Sequence, residues 1–220
     1  MIRLFSHRGF VQGNNNILQN SVASLYEARK NDFKAIEFDI WFLEGKLFLK
    51  HDAPCERELK NLPRFHDYFP FGNEFDYWLD FKNLDEKNVD DALQLVKKDL
   101  DEALINLDQV YFAPFITDYK ITGKIFAKIK EVFGEKVNLM AFCKQLGSGE
   151  DVKVLRDFLT QNKVKYLSIF HQLLDEKFVA DFKDVEIFAW TVNDFARLKE
   201  LEKIGVRNFA TDKIVPELVQ

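Results

Sequence analysis

Val164-Lys165-Tyr166-Leu167-Ser168-Ile169-Phe170, Val185-Glu186-Ile187-Phe188-Ala189-Trp190-Thr191-Val192 and Val206-Arg207-Asn208-Phe209-Ala210-Thr211 read as three β-strands, with helical segments at 175–182 and 194–204 between them. A strand that returns to the next strand through a helix pairs with it in parallel. The alternation continues toward the N-terminus. Strands are expected at 137–142, 110–115 and 77–81, and helices at 151–161, 121–133 and 87–107. In the last of these, Val89, Leu93, Val96, Leu100, Ala103 and Leu104 recur at helical spacing.

The first quarter adds a strand at 2–5, a helix at 21–30 and a strand at 35–42. Leu47 to Leu49 is short and apolar and can pair back through a turn at Glu44-Gly45. The stretch 52–76, with three prolines and several aromatic residues, reads as a long loop or short helical turns. A short terminal helix is expected from Lys213.

Several strands are apolar almost throughout, as in Val110-Tyr111-Phe112-Ala113-Pro114-Phe115 and Asn138-Leu139-Met140-Ala141-Phe142. Strands covered on both faces have this composition. A closed barrel and an open doubly wound sheet both fit; the count of eight main strands favours the (β/α)8 barrel. The 220 residues suit one compact domain spanning 1–220, with a short insertion after the second strand.

Composition narrows the function. Hydrophobic residues make up 47% and charged residues 30%, an ordinary soluble balance. The 23 phenylalanines read as a bulky core. A net charge of -5 without a long basic run argues against a nucleic-acid partner, while a small anionic ligand needs only local positive charge. Cys55 and Cys143, far apart, form no metal motif and read as reduced thiols. The start Met1-Ile2-Arg3-Leu4-Phe5 lacks signal-peptide features and no segment is apolar enough to span a bilayer, so a cytoplasmic location is expected.

Polar groups gather where strands end. The first strand delivers His7 and Arg8, the second Glu37 and Asp39, the hairpin His51, the third Asp80 and Lys82. Glu37 and Asp39, two apart, share one strand face. Carboxylates forced together raise a pKa or require a cation, and Asp80 offers a third oxygen ligand for a hard divalent ion. Two imidazoles suit acid-base work near neutral pH, and Arg8 and Lys82 suit an anionic oxygen. His171, after the sixth strand, is a weaker candidate.

Together these residues resemble the glycerophosphodiester phosphodiesterase family, TIM-barrel enzymes related to phosphatidylinositol-specific phospholipase C. The resemblance covers most of the chain: His7-Arg8-Gly9, Asn20-Ser21, Ile36-Glu37-Phe38-Asp39, His51-Asp52, Leu79-Asp80-Phe81-Lys82, Trp190-Thr191-Val192-Asn193, and Gly205-Val206 through Thr211-Asp212. It implies hydrolysis of a glycerophosphodiester to glycerol 3-phosphate and an alcohol, assisted by Mg²⁺ or Ca²⁺. Glu37, Asp39 and Asp80 would be the metal ligands and His7 and His51 the acid-base pair. Arg8 and Lys82 would hold phosphate oxygens, and Trp190 would flank the alcohol. The chain departs from the family pattern at Gln19 and Asp80, where glutamates are usual, and in its short insertion at 53–76. Two alternatives share the site: release of a cyclic phosphate, or binding of a phosphorylated ligand without turnover.

Overall fold

The computed structural model describes residues 1–13, 16–115, 118–146 and 149–219. Its strands are β1 (Arg3–His7), β2 (Ala35–Leu43), β3 (Lys46–Leu49), β4 (Asp76–Phe81), β5 (Val110–Pro114), β6 (Asn138–Cys143), β7 (Tyr166–Phe170), β8 (Glu186–Trp190) and β9 (Asn208–Thr211). The helices are α1 (Val22–Lys30), α2 (Val89–Glu102), α3 (Tyr119–Phe133), α4 (Gly149–Asn162), α5 (Glu176–Asp181) and α6 (Phe195–Lys203).

Parallel pairing runs β1-β9-β8-β7-β6-β5-β4-β2, and β2 pairs in parallel with β1. The eight strands therefore close into a barrel, as their count suggested. Among the described strands only β3 stands outside, antiparallel to β2 through a two-residue turn at Glu44 (φ 49°) and Gly45 (φ 67°). Two positive φ angles in succession match the twist of the flanking strands.

Alternation along each strand sorts side chains into two cores. Phe5, Ala35, Trp78, Tyr111, Met140, Phe188 and Ala210 point inward and fill the barrel floor. Phe5 packs edge-on to Trp78 with ring centroids 5.7 Å apart. Arg3 closes the lower end by donating to Asp76, Asn208 and Tyr111. The outward-facing residues pack against the helices. α2 buries Val89, Ala92, Leu93, Val96 and Leu100 along one stripe. Most of the 23 phenylalanines read as core do lie in these two layers.

Asp118, Asp175 and Asp194 each accept backbone N–H bonds at the start of a helix, which fixes where α3, α5 and α6 begin. The helix expected over 87–107 ends earlier. Leu104 adopts φ 55° and is 79% exposed, while Ile105 N–H bonds back to Leu100 O and Leu104 N–H to Asp101 O. This paired cap stops α2 and turns Ile105 inward in place of Leu104. The terminal helix expected from Lys213 is a single 3₁₀ turn, Pro216–Val219. The first strand, expected to end at Phe5, continues to His7 because β2 and β9 pair with its last residues. The stretch 52–76 forms three short 3₁₀ turns, as its prolines and aromatic residues indicated. Among the described residues no helix is long and apolar enough to cross a membrane.

Candidate active site

The inward faces of β1, β2 and β4 continue above the aromatic floor and end in ionisable groups. Above Phe5 stands His7; above Ala35 stand Glu37 and then Asp39; above Trp78 stand Asp80 and then Lys82. Strand register sets them side by side, because His7 pairs with Glu37 and Asp39 with Asp80. A cavity of about 140 Å³ opens at this end of the barrel. Its walls include His7, Arg8, Glu37, Asp39, His51, Asp80, Lys82 and Trp190, so the eight residues singled out from the sequence converge on one space.

The His7-Arg8-Gly9 turn is shaped by close approach to α1. A β-carbon on Gly9, at φ 72°, would lie 2.1 Å from Ser24 Oγ. Only glycine fits there. Ser24 in turn caps α1 with Ser21 and donates to Arg8 O. Arg8 N–H donates to Glu37 Oε2 at 3.1 Å, and the Arg8 guanidinium lies 3.2 Å from Asp39 Oδ2 without good hydrogen-bond alignment.

Glu37 and Asp39 are 3% and 1% exposed, and one oxygen from each of Glu37, Asp39 and Asp80 can be chosen so that all three lie within 4.8 Å of one another. Lys82 Nζ bridges Asp39 at 2.7 Å and Asp80 at 2.5 Å. Asn20 donates to Asp39 Oδ2 at 2.8 Å and accepts from the Asp39 N–H. Burial pushes Glu37 well above the usual carboxylate range, and repulsion from Asp39 and Asp80 adds to it against Lys82 and Arg8. Asp80 is pushed up to about 6 by burial and Asp39, against the pull of Lys82. Burial acts on Asp39 too, but Lys82 and Arg8 beside it overcome that and hold it low.

This donor set fits a hard divalent cation. Two buried carboxylates and the partly buried Asp80 face one point, two of the three resist ionisation without added positive charge, and Asp80 Oδ1 has no hydrogen-bond partner among the described residues.

Each histidine is held from behind by an aspartate. His7 Nδ1 lies 2.7 Å from Asp212 Oδ1, and His51 Nδ1 lies 2.8 Å from Asp52 Oδ1. With Nδ1–H directed to a carboxylate, the Nε2 lone pair is left for other partners. His7 Nε2 lies 3.7 Å from Glu37 Oε2. The two sites differ in access: the His7 side chain is 12% exposed and that of His51 45%. Asn193 locks Asp212 by donating to Oδ2 at 2.8 Å and accepting from the Asp212 N–H at 2.7 Å. Burial raises Asp212, but the hydrogen bonds from His7 and Asn193 outweigh it and leave the carboxyl below its usual value.

The opposite wall is aromatic. Trp190 stacks on Phe142 at 5.6 Å and packs against Phe170 at 5.4 Å, and Phe115 lies 4.1 Å from Phe142. Gln19 accepts from the Arg8 guanidinium at 3.3 Å, so the neutral amide still contacts the arginine where a glutamate would pair with it. His171 follows β7 but is not part of this cavity wall.

Four contributors lay outside the residues assigned roles from sequence: Asn20, Asp212, Asn193 and Lys144. Asn20 and the 193/212 pair sit in recognisable strand-end or helix-start segments, but nothing local reveals their partners. Lys144 had a readable signal, since Met140, Phe142 and Lys144 follow the period of a strand whose alternate residues face inward.

No protein-family model matches this chain, and no curated protein matches it in sequence. Solved structures do match in fold. A phosphodiesterase from Oleispira antarctica, solved with the product sn-glycerol-3-phosphate, aligns with TM-score 0.76 and 17% identity over 96% of this chain and 92% of that one. A glycerophosphodiester phosphodiesterase from Parabacteroides distasonis aligns with TM-score 0.73 and 19% identity over 96% and 92%. A calcium-dependent phosphoinositol-specific phospholipase C from a Pseudomonas species aligns with TM-score 0.59 and 10% identity over 95% and 87%. The chain is a single-chain TIM barrel with the fold of the glycerophosphodiester phosphodiesterase structures.

Proposed function

We propose that this chain is a metal-dependent phosphoric diester hydrolase that cleaves a small glycerophosphodiester to glycerol 3-phosphate and an alcohol. The observation that carries this reading is a three-carboxylate cluster placed between two aspartate-held histidines in one cavity. The product complex of the Oleispira phosphodiesterase supports glycerol 3-phosphate as the product class.

Glu37, Asp39 and Asp80 would hold Mg²⁺ or Ca²⁺, which when bound supplies Lewis-acid stabilisation of charge on the phosphoryl oxygens. A phosphodiester is anionic and repels nucleophiles, so local positive charge is needed before attack. Arg8 and Lys82 stand beside the same carboxylates and add to the positive field at the phosphate. Nε2 of one imidazole takes the proton of the attacking hydroxyl, from water or from the substrate itself. As the phosphorus–oxygen bond to the alcohol breaks, the other imidazole donates a proton to the leaving oxygen. Each such proton transfer contributes about a hundred- to ten-thousand-fold in rate. Trp190, with Phe142 and Phe170, offers an apolar wall to the carbon skeleton of the alcohol.

The test is a panel of glycerophosphodiesters assayed with Mg²⁺, with Ca²⁺ and after chelation, with products followed by phosphorus NMR. The expected result is chelator-sensitive release of glycerol 3-phosphate. Accumulation of a cyclic phosphate would move the chain to the transesterifying reading. No turnover with clear phosphate-ester binding would overturn the enzyme.

A further inference from the structure

Two of the three cations in the cavity wall are already engaged. Lys82 bridges Asp39 and Asp80, and Arg8 lies against Asp39 with its N–H on Glu37. The third is Lys144, and its ammonium contacts no acidic or hydrogen-bonding group among the described residues. Its position is dictated by β6. Met140 faces the barrel floor, Phe142 faces the cavity, and two residues later Lys144 stands exposed at the cavity rim. It thus belongs to the aromatic wall, across from the carboxylates.

A second group on that wall lacks a partner. Trp190 stacks on Phe142, and its indole Nε1 is buried with no hydrogen-bond acceptor among the described residues. An unpaired buried N–H is costly, so an acceptor that reaches it is favoured. An uncompensated ammonium and an unpaired donor on one wall are what an anion would complete.

From this arrangement we infer that Lys144 is a substrate-binding residue that holds a phosphate oxygen from the side opposite the carboxylates, with the Trp190 indole as accessory donor. Arg8 and Lys82 serve chiefly to balance Glu37, Asp39 and Asp80, and Lys144 brings the charge that the ligand meets first. The inference rests on the phosphodiesterase reading for the identity of the anion; the anion site itself stands on the cavity. An exposed ammonium acts through long-range attraction as well as contact, so its contribution weakens as salt screens it.

The experiment titrates inorganic phosphate and sn-glycerol 3-phosphate calorimetrically into the wild-type protein and into Lys144→Ala, Lys144→Gln and Lys144→Arg, with Mg²⁺ present, at two salt concentrations. Loss of the ammonium is expected to weaken both ligands about tenfold or more, the scale of a charge-assisted hydrogen bond. Lys144→Arg restores most of the affinity and Lys144→Gln does not, and the wild-type affinity falls more steeply with salt than that of Lys144→Ala. In turnover, Lys144→Ala raises KM about tenfold with kcat close to wild type. Unchanged phosphate affinity in Lys144→Ala overturns the inference, as does a wild-type protein that binds neither ligand. A protein that binds phosphate through Lys144 but cleaves no diester overturns the proposed activity and leaves the anion site standing.

Discussion

His7 Nδ1 and Asp212 Oδ1 are 2.7 Å apart although 205 positions separate them in the chain. Barrel closure makes the contact, because β1 and β9 are neighbours and Ser6 pairs with Thr211. Asn193, at the end of the strand before, fixes the carboxylate from its far side. The imidazole is therefore oriented by a residue just past the last strand of the chain and presents Nε2 toward Glu37.

Asp212→Asn tests this orientation. An amide can donate to Nδ1 and favour the opposite tautomer, which takes the Nε2 lone pair away from the substrate. The expected outcome is a fall in kcat of about a hundredfold or more with little change in KM, measured in steady-state kinetics. A kcat within threefold of wild type would remove Asp212 from the proposed machinery.

His7→Ala and His51→Ala are each expected to abolish turnover while circular dichroism and thermal unfolding show the barrel intact. His51 is half exposed and its partner Asp52 is at the surface, so its loss costs stability about 0.5 kcal/mol or less. Near wild-type rates in either variant would withdraw that histidine from the acid-base pair.

The metal-free protein should lose stability as pH rises across the carboxylate cluster. Asp80 titrates near 6 in the fold against an ordinary 3.8, so the unfolded chain releases this proton first. Ionisation then favours the unfolded state, and the stabilisation present at about pH 4 is lost by about pH 7. That gap corresponds to about 3 kcal/mol, and the raised Glu37 acts in the same direction. Asp39, held low, acts in the opposite sense and only as pH falls below the ordinary carboxylate value. Thermal melts in chelator should show Tm falling from pH 4.5 to 7, Asp80→Asn should flatten the fall, and added Mg²⁺ or Ca²⁺ should restore Tm in the wild type but not in the variant. A Tm that is flat or rising over this range in chelated wild type would contradict the arrangement of charges.

Asp80→Glu addresses the shorter third ligand. One added methylene extends the carboxylate within a cavity of about 140 Å³. Tighter metal binding by titration calorimetry is expected, and equal or weaker binding would show that the aspartate is the length this site requires.

The thiols should separate cleanly. Cys55 is exposed, whereas Cys143 is buried and burial pushes its thiol up to about 11. A thiol reagent at pH 8 should titrate one cysteine rapidly in the native protein and the second only after denaturation. Two fast thiols would mean that the outer layer packed against β6 opens.

The alternation of strands and helices, the eightfold strand count and the residue types at each strand end are legible along the chain. Those are local properties: apolar runs, helical spacing and turn residues act over a few positions. The sequence also placed Glu37 and Asp39 on one face, because the two-residue period of a strand does so in any sheet. Where local signals competed, reading along the chain failed. Leu104 carried the helical period but took the capping conformation, because Ile105 gains burial by the turn. The pairings themselves arise from the folded barrel: Asp212 behind His7, Asn20 on Asp39, and Lys82 between Asp39 and Asp80. These partners come from different strands and from loops between them, and their meeting depends on the register in which the barrel closes. The same closure fixes which cations are engaged by carboxylates and leaves Lys144, on the cavity wall, without a carboxylate partner among the described residues.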